Sequence, residues 1–565
     1  MSIIGTIHED VTTDVLGKIG AWQWIMTLLA TALVIPTMLN HYDDMFLLKP
    51  SQDILCVPSQ ETANISLCSY TIANATVASC DKWHVEFMWL IWIKKTWLIF
   101  CDKSMQLLST TVICRLGLVF GCVIFGIVSD SFGRRIAIII SLIADLVFRL
   151  TLVFCDSESW YRLLIFLKSM FTSANYYLEL ILVCEIASNS WRTKLNLIVS
   201  APRILASLCA IPFANAAPNL DTYNFIAFLL GTLLLVVLRW IPESPQWLLY
   251  NRKIPKAENT LLSAAKKNGV KLCSEFKIRP VNNRAYDCLE EEWTCLMILS
   301  NHNVRVLIFV MLLFWALYHF LWAPLFIKLH TRMHAYAPLQ LLSITLFVGL
   351  LNIFIMLKVK MRYLLTINVM VLGSSTALVT FVDQIDFNTT ISDLLTSIGL
   401  ASGLISNALL LNITPRLFAV NIRGTLVGCC HAAGHLGTIT CYLITSLRAI
   451  NDSTMIITVL VVTVLLVALC FVLPDVDGRE LPDTVKDMDY FSELSKPLRW
   501  ATQKTNSPSH EEVEMRVYSF SSGANNITRD ASEETVPAQH IGFIRLWYRF
   551  ISFVRQIRRK RHIKS

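Results

Sequence analysis

Two histidines, His431 and His435, stand four residues apart in an otherwise apolar stretch that reads GCCHAAGHLG. On a helix such a pair shares one face. Imidazole titrates near neutrality, so the pair suits proton exchange or contact with a polar ligand. Without an acidic or cysteine partner in view, two imidazoles are too few for a tetrahedral metal site, and no metal is expected. Ionisable side chains also interrupt other apolar runs: Arg115, Asp145, Arg149, Lys168, Glu179 and Arg203. Charges at such depth are functional candidates by default. Asp145 and Arg149 are four apart and most simply pair with each other, while Lys168 is expected to snorkel outward. Arg115 and Arg203 have no partner in their own runs, and Glu179 is available to only one of them. The positive charge left over favours an anionic or zwitterionic ligand. The alternative is a buried structural ion network. Trp315, Tyr318, His319 and Trp322 lie along one run, and Tyr176 and Tyr177 in another. Tyr318 and Trp322, one turn apart, suit a wall for flat organic molecules; packing or an interfacial belt is the other reading. The binding candidates are therefore Arg115, Glu179, Arg203, Tyr318, Trp322 and His435. No H-E-x-x-H, G-x-S-x-G or phosphate-loop motif occurs, so neither an enzyme nor an ATP-driven pump is expected, and no cofactor.

The elements that must position these groups are membrane spans. The chain has 565 residues, 54% of them hydrophobic, with mean hydropathy +0.54. Charged residues are 16%, against ~25% in soluble domains. A span needs ~20 apolar residues. Twelve runs qualify, near 22–40, 105–128, 136–155, 162–184, 194–215, 222–241, 304–325, 336–357, 362–381, 392–413, 424–446 and 455–473. The expected fold class is all-α and polytopic, with six-helix halves at 22–241 and 304–473. A retained first anchor is expected, since 1–21 carries acids where a cleaved leader would be basic. Lys/Arg bias sets orientation. Arg134 and Arg135 in the gap 129–135, and a basic loop at 242–303, put those gaps and both termini in the cytosol. The net charge of +8 follows from that bias and a basic tail, without a nucleic-acid partner.

The sequons Asn64, Asn74, Asn388 and Asn451 all fall on the outer side by this alternation, as glycosylation requires. So does the first loop, 41–104, with Cys56, Cys68, Cys80 and Cys101, which oxidising conditions allow to pair in any of three ways. Residues 88–101 are apolar around Lys94 and Lys95 and are expected to pack on the ectodomain or the membrane surface. Beyond 473, a polar tail at 474–540 reads as disordered. At 541–565 an apolar face (Phe543, Leu546, Trp547, Phe550, Phe553) faces a cluster of arginines. That pattern predicts a helix lying on anionic inner-leaflet lipid.

The gap between the second and third runs, Gly126-Ile-Val-Ser-Asp130-Ser-Phe-Gly133-Arg134-Arg135, resembles the major facilitator loop motif G-x-x-x-D-R-x-G-R-R. Further segments resemble the organic cation, organic anion and carnitine transporters, solute carrier family 22. They are GKIGAWQ at 17–23, TWLIFCD at 96–102, Glu185 with Trp191-Arg192, IPESPQWLLYNRK at 241–253 and LPDVDGRELPDTVKD at 473–487. The resemblance implies a plasma-membrane carrier of small organic ions working by alternating access. It also implies a cytosolic latch built from Gly126, Asp130, Gly133, Arg134, Arg135, Glu185, Arg192, Glu243 and Arg423. His435 falls where the family's anion carriers place Arg and its cation carriers Asp, at a position facing the central cavity. The chain departs from the pattern at Ser131, Gln246 and Arg416, the last standing where the family has an acid. These departures leave open a transporter-fold receptor or scaffold that no longer cycles.

Overall fold

The computed structural model describes residues 16–17, 19–41, 104–155, 158–216, 220–270, 301–331, 359–385, 389–446, 451–482, 485–488 and 490, together with five short strands between 54 and 85 and scattered positions from 344 to 355. The chain divides into 1–491 and 492–565, and every described residue belongs to the first unit.

Helices dominate. The N-terminal half holds α1 (Ala21–His41), α2 (Ser104–Phe132), α3 (Arg134–Val153), α4 (Glu158–Thr172), α5 (Leu178–Ile186), α6 (Asn189–Ala216) and α7 (Leu220–Leu234). Two short helices of the middle loop follow, α8 (Pro245–Tyr250) and α9 (Ile254–Lys267). The C-terminal half holds α10 (His302–Thr331), α11 (Met361–Gln384), α12 (Thr389–Ile413), α13 (Arg423–Ser446) and α14 (Asp452–Val472). Among the described residues, seven helices are long and apolar enough to cross a membrane. α14 shows what solvates them: its mean hydropathy is 3.2, yet only 28% of its apolar window is buried. Such a surface is stable in lipid and not in water. The eighth run, 336–357, lies largely outside the described residues, as do 88–101 and the tail beyond 490.

The run near 162–184 is not one helix. α4 stops at Thr172, a 3₁₀ turn spans Ser173–Tyr176, and α5 restarts at Leu178. Broken helices at membrane depth are tolerated where they line a cavity, and Tyr176 does line one. The described residues of the first loop are strands: β1 (Ile54–Cys56) pairs antiparallel with β5 (Trp83–Val85), and β2 (Thr62–Ile65), β3 (Ser69–Ile72) and β4 (Val77–Ser79) form a three-stranded meander. Cys56 sits in β1 and Asn64 in β2; Cys68, Cys80, Cys101, Asn74 and Asn388 lie outside the described residues. Asn451 is the exposed N-cap of α14.

Lys168 corrects an expectation. It does not snorkel but is 2% exposed, its Nζ donating to Asn224 Oδ1 at 3.4 Å. An acceptor network draws it inward. Arg149 pairs with Asp145 at 3.1 Å, as expected, and also donates to Asn224 Oδ1 at 3.3 Å. Thr172 donates to the other Asp145 oxygen. A buried ammonium with partners is tolerable where an unpaired one is not.

The polar tail begins later than 474. Val476, Val485 and Met488 are buried, and backbone carbonyls of this stretch serve the body. Asn189 Nδ2 donates to the Gly478 carbonyl at 2.9 Å, and Arg423 Nη2 to that of Pro482 at 3.4 Å.

Candidate functional site

α2 and α13 bring the expected latch residues together, and α13 also carries part of the cavity wall. They meet backbone to backbone. A Cβ on Gly126 would lie 2.6 Å from the Gly424 carbonyl oxygen, and one on Gly428 would overlap the Cys122 carbonyl. Gly424 and Gly428 are four apart, the small-xxx-small spacing that lets membrane helices touch.

That contact assembles the latch. Glu185 at the end of α5 is fully buried between two arginines from opposite halves. Arg134 Nε donates to Glu185 Oε2 at 3.2 Å and Arg134 Nη2 to Oε1 at 3.0 Å, while Arg423 Nη1 reaches Oε1 at 2.7 Å. The Arg134 fork is the bidentate geometry that favours Arg over Lys. Asp130 joins the halves again. It pairs with Arg134 at 3.1 Å, and its carboxylate accepts from Gly424 N at 2.9 Å, Thr425 N at 2.7 Å and Thr425 Oγ1 at 2.7 Å. These amides open α13, so the carboxylate sits at a helix N-terminus where unsatisfied N–H groups and the dipole favour it.

Glu243 does the same for α3 within one half. Its carboxylate accepts from Arg134 N at 2.8 Å, Arg135 N at 3.2 Å and Ser244 N at 3.1 Å. Burial pushes this carboxyl above its ordinary value, against those N–H donors. Gly133 has φ +117, and a Cβ there would collide with Glu243 Oε2, so the glycine is required twice over. Arg192 staples its own half, donating to the Cys184 carbonyl at 3.0 Å and the Ala187 carbonyl at 3.0 Å. Arg416, the reversed position, points elsewhere and donates to Thr193 Oγ1 at 2.7 Å. The departures in sequence therefore leave the latch assembled.

Two supports escaped sequence reading. Asp477 accepts from Met361 N at 2.9 Å at the start of α11, and Asp475 pairs with Lys360 at 2.7 Å. They repeat in the second half what Glu243 does in the first. The signal was present as IPES after one half and LPDVD after the other. Asn268, just past α9, ties the cytosolic loop to α1: its Oδ1 accepts from Trp22 N at 2.8 Å and its Nδ2 donates to Gln23 Oε1 at 2.9 Å.

The cavity lies between the halves. Tyr176 and Arg203 contribute from the first, and His319, Trp322, His431 and His435 from the second. Its volume is about 50 Å³, room for a water or two and far below a drug-sized ligand. The imidazoles sit among aromatic rings: Trp315 to His431 at 4.3 Å between centroids, Tyr177 to His431 at 5.2 Å, and His319 to His435 at 5.9 Å. His319 Nε2 and His431 Nε2 are buried without a hydrogen-bond partner. Arg203 donates through Nη2 to the Tyr176 carbonyl at the helix break, and its Nη1 is unsatisfied.

Of the six binding candidates, His435, Trp322 and Arg203 line this cavity. Tyr318 does not; it lies behind, stacked on Trp322 at 6.4 Å, with its hydroxyl donating to the Gly403 carbonyl at 2.5 Å. Arg115 and Glu179 are buried outside the lining. Glu179 forms no hydrogen bond through either oxygen, and what it offers Arg203 is a nearby opposite charge. Among the described residues no cluster of His, Cys, Asp or Glu is placed to hold a metal.

The model of the sugar (and other) transporter family matches residues 60–481. The chain belongs to that family. Its members here include relatives from solute carrier family 22. Solute carrier family 22 member 21 of Mus musculus is 24% identical over 456 residues, 76% of each chain. The organic cation/carnitine transporter 2 of Homo sapiens is 21% identical over 351 residues, 54% of this chain and 62% of that one. Member 2 of Rattus norvegicus is 24% identical over 169 residues, so the chain matches only 30% of that relative's length. Among solved structures, the proton:xylose symporter XylE bound to 6-bromo-6-deoxy-D-glucose superposes with TM-score 0.57 at 15% identity, covering 82% of this chain and 98% of that one. A partially occluded inward-open form of XylE from E. coli gives 0.53 at 15% identity. The fold is that of a major facilitator transporter, and the protein is a multi-pass membrane protein.

Proposed function

We propose that this protein carries small organic anions or zwitterions across the plasma membrane by alternating access, with both termini in the cytosol. One observation carries the reading. The cavity draws its polar wall from both halves, and among the described residues its titratable lining is Tyr176, Arg203 and the imidazoles of His319, His431 and His435, with no carboxylate. A rocking motion of the halves would then expose the same groups to either side in turn. The Glu185–Arg423 and Asp130–Thr425 contacts bridge the halves, and in this reading they break when the cytosolic side opens. The receptor alternative drew its support from lost latch charges and from the long tail with a membrane-binding helix, and Glu185 clamped from both sides weighs against the first. The C-terminal segment 541–565 is proposed to rest on anionic inner-leaflet lipid, the four outward sequons to be glycosylated, and Cys56, Cys68, Cys80 and Cys101 to pair.

The test is uptake of labelled organic anions, cations and zwitterions into vesicles holding the protein. Saturable anion uptake with trans-stimulation is expected. His435→Arg should retain anions and His435→Asp should lose them. Uptake confined to cations would overturn the substrate class, and binding without trans-stimulation would restore the receptor.

A further inference from the structure

Among the described lining residues Arg203 is the permanent cation, and Glu179 one helix away bears on it with the opposite sign. The remaining polar groups are imidazoles: His319 from α10, His431 and His435 from α13. All are more than nine-tenths buried. Two of them, His319 and His431, present an Nε2 with no partner. An organic anion entering this cavity meets Arg203 and neutral imidazole rings, and an imidazole that takes a proton adds a second cation.

The surroundings make that proton conditional. From α2, Arg115 bears electrostatically on His319, and Arg203 of α6 bears on His431. From the broken helix come Tyr176, Tyr177 and, further off, Glu179. α10 adds Tyr318 against His319, and α12 adds only the neutral Asn407. Among the described residues no carboxylate lines the cavity. An imidazolium formed in the empty site would therefore face guanidiniums with little water to screen them. An anion supplies the counter-charge that the wall lacks. Proton and anion then stabilise each other, and such coupling is reciprocal.

We propose that the His319, His431 and His435 imidazoles bind one proton together with each organic anion, making the protein an electroneutral anion–proton symporter. The inference rests on the anion reading above. The step balances as follows: an imidazole nitrogen lone pair takes a proton from outer-side water, the imidazolium pairs with the anion, and after the halves rock the anion and the proton both leave to the cytosol. No bond within the ligand changes.

The probe is benzenesulfonate, an aromatic anion that stays ionised across the working range and crosses lipid poorly, so proton movement cannot come from the ligand itself. The full chain is reconstituted in vesicles loaded with a pH indicator, and labelled probe and internal pH are followed together. Inward acidification at about one proton per anion is expected, with uptake roughly tenfold faster at about pH 6 than at about pH 7.5. Calorimetry in two buffers of different ionisation enthalpy should show the same proton uptake on binding, independent of turnover. The H319Q/H431Q/H435Q variant should lose the proton and its pH dependence; H435Q alone guards against a triple variant that misfolds, and should reduce both. Probe bound or carried with no proton uptake would overturn the symport inference and leave the anion carrier standing. No binding of probe at either pH would overturn both.

Discussion

Replacing Glu185 by Gln should unlock the cytosolic gate. The side chain keeps its shape and one acceptor, but the charge between Arg134 and Arg423 disappears. Arg134 retains Asp130 at 3.1 Å and the Val420 carbonyl at 2.8 Å. Arg423 is left with the Phe418 carbonyl at 3.0 Å and the Pro482 carbonyl at 3.4 Å. Two guanidiniums then share a dry site without their common counter-ion. Removing one member of a buried pair costs ~3–5 kcal/mol, because the survivor stays desolvated. The loss falls on the closed gate alone, since an open gate lets water reach both arginines. At ~1.4 kcal/mol per factor of ten, the lower figure shifts the balance toward the open gate about 100-fold. Cys122 reports it. Its side chain is fully buried on α2, where α2 meets α13, and it should be reachable from the cytosol only when those helices part. Site-resolved maleimide labelling in inside-out vesicles should speed up by about that factor in Glu185→Gln. A rate equal to wild type, in protein that elutes as a single folded species, would refute the electrostatic account of the latch.

Gly428→Leu should act on the same seam by bulk. Its side chain would overlap the Cys122 carbonyl, an overpacking cost of at least ~1–3 kcal/mol on the closed state. Fast Cys122 labelling with little uptake is expected, and normal uptake would count against the close approach. Glu243→Gln tests the α3 cap. Because burial holds the Glu243 carboxyl above its ordinary value, its protonation favours folding; that contribution is full below the ordinary carboxyl range and is lost as pH rises through the raised value. The thermal midpoint of wild type should thus fall with rising pH relative to Glu243→Gln; parallel curves would refute it. Asn268→Ala removes the acceptor for Trp22 N and should cost about 1 kcal/mol, as a lost helix cap does, read as a lower thermal midpoint.

Much of this molecule is decided within single helices. Apolar runs of spanning length and the Asp145–Arg149 pair depend on residues near in sequence, so periodicity and spacing reveal them. The latch motif, too, is legible, because Gly133 and its neighbours answer a local need for positive φ and a helix start. What joins distant positions is not legible. Glu185 meets Arg423 across 238 residues; the family resemblance names both, but no spacing or periodicity in either stretch pairs them. Lys168 turns inward because Asn224 waits on another helix. Tyr318 and Trp322 are one turn apart, yet only Trp322 reaches the cavity, since the packing of α10 against α12 turns the Tyr318 hydroxyl to the Gly403 carbonyl. The break in α4–α5 is equally hidden, because a 3₁₀ turn at Ser173–Tyr176 is stabilised by its tertiary neighbours, among them Arg203 on the Tyr176 carbonyl. Composition and periodicity settle which segments enter the membrane. Which side chains share one dry cavity, and so whether their charges balance, is settled only when the helices pack.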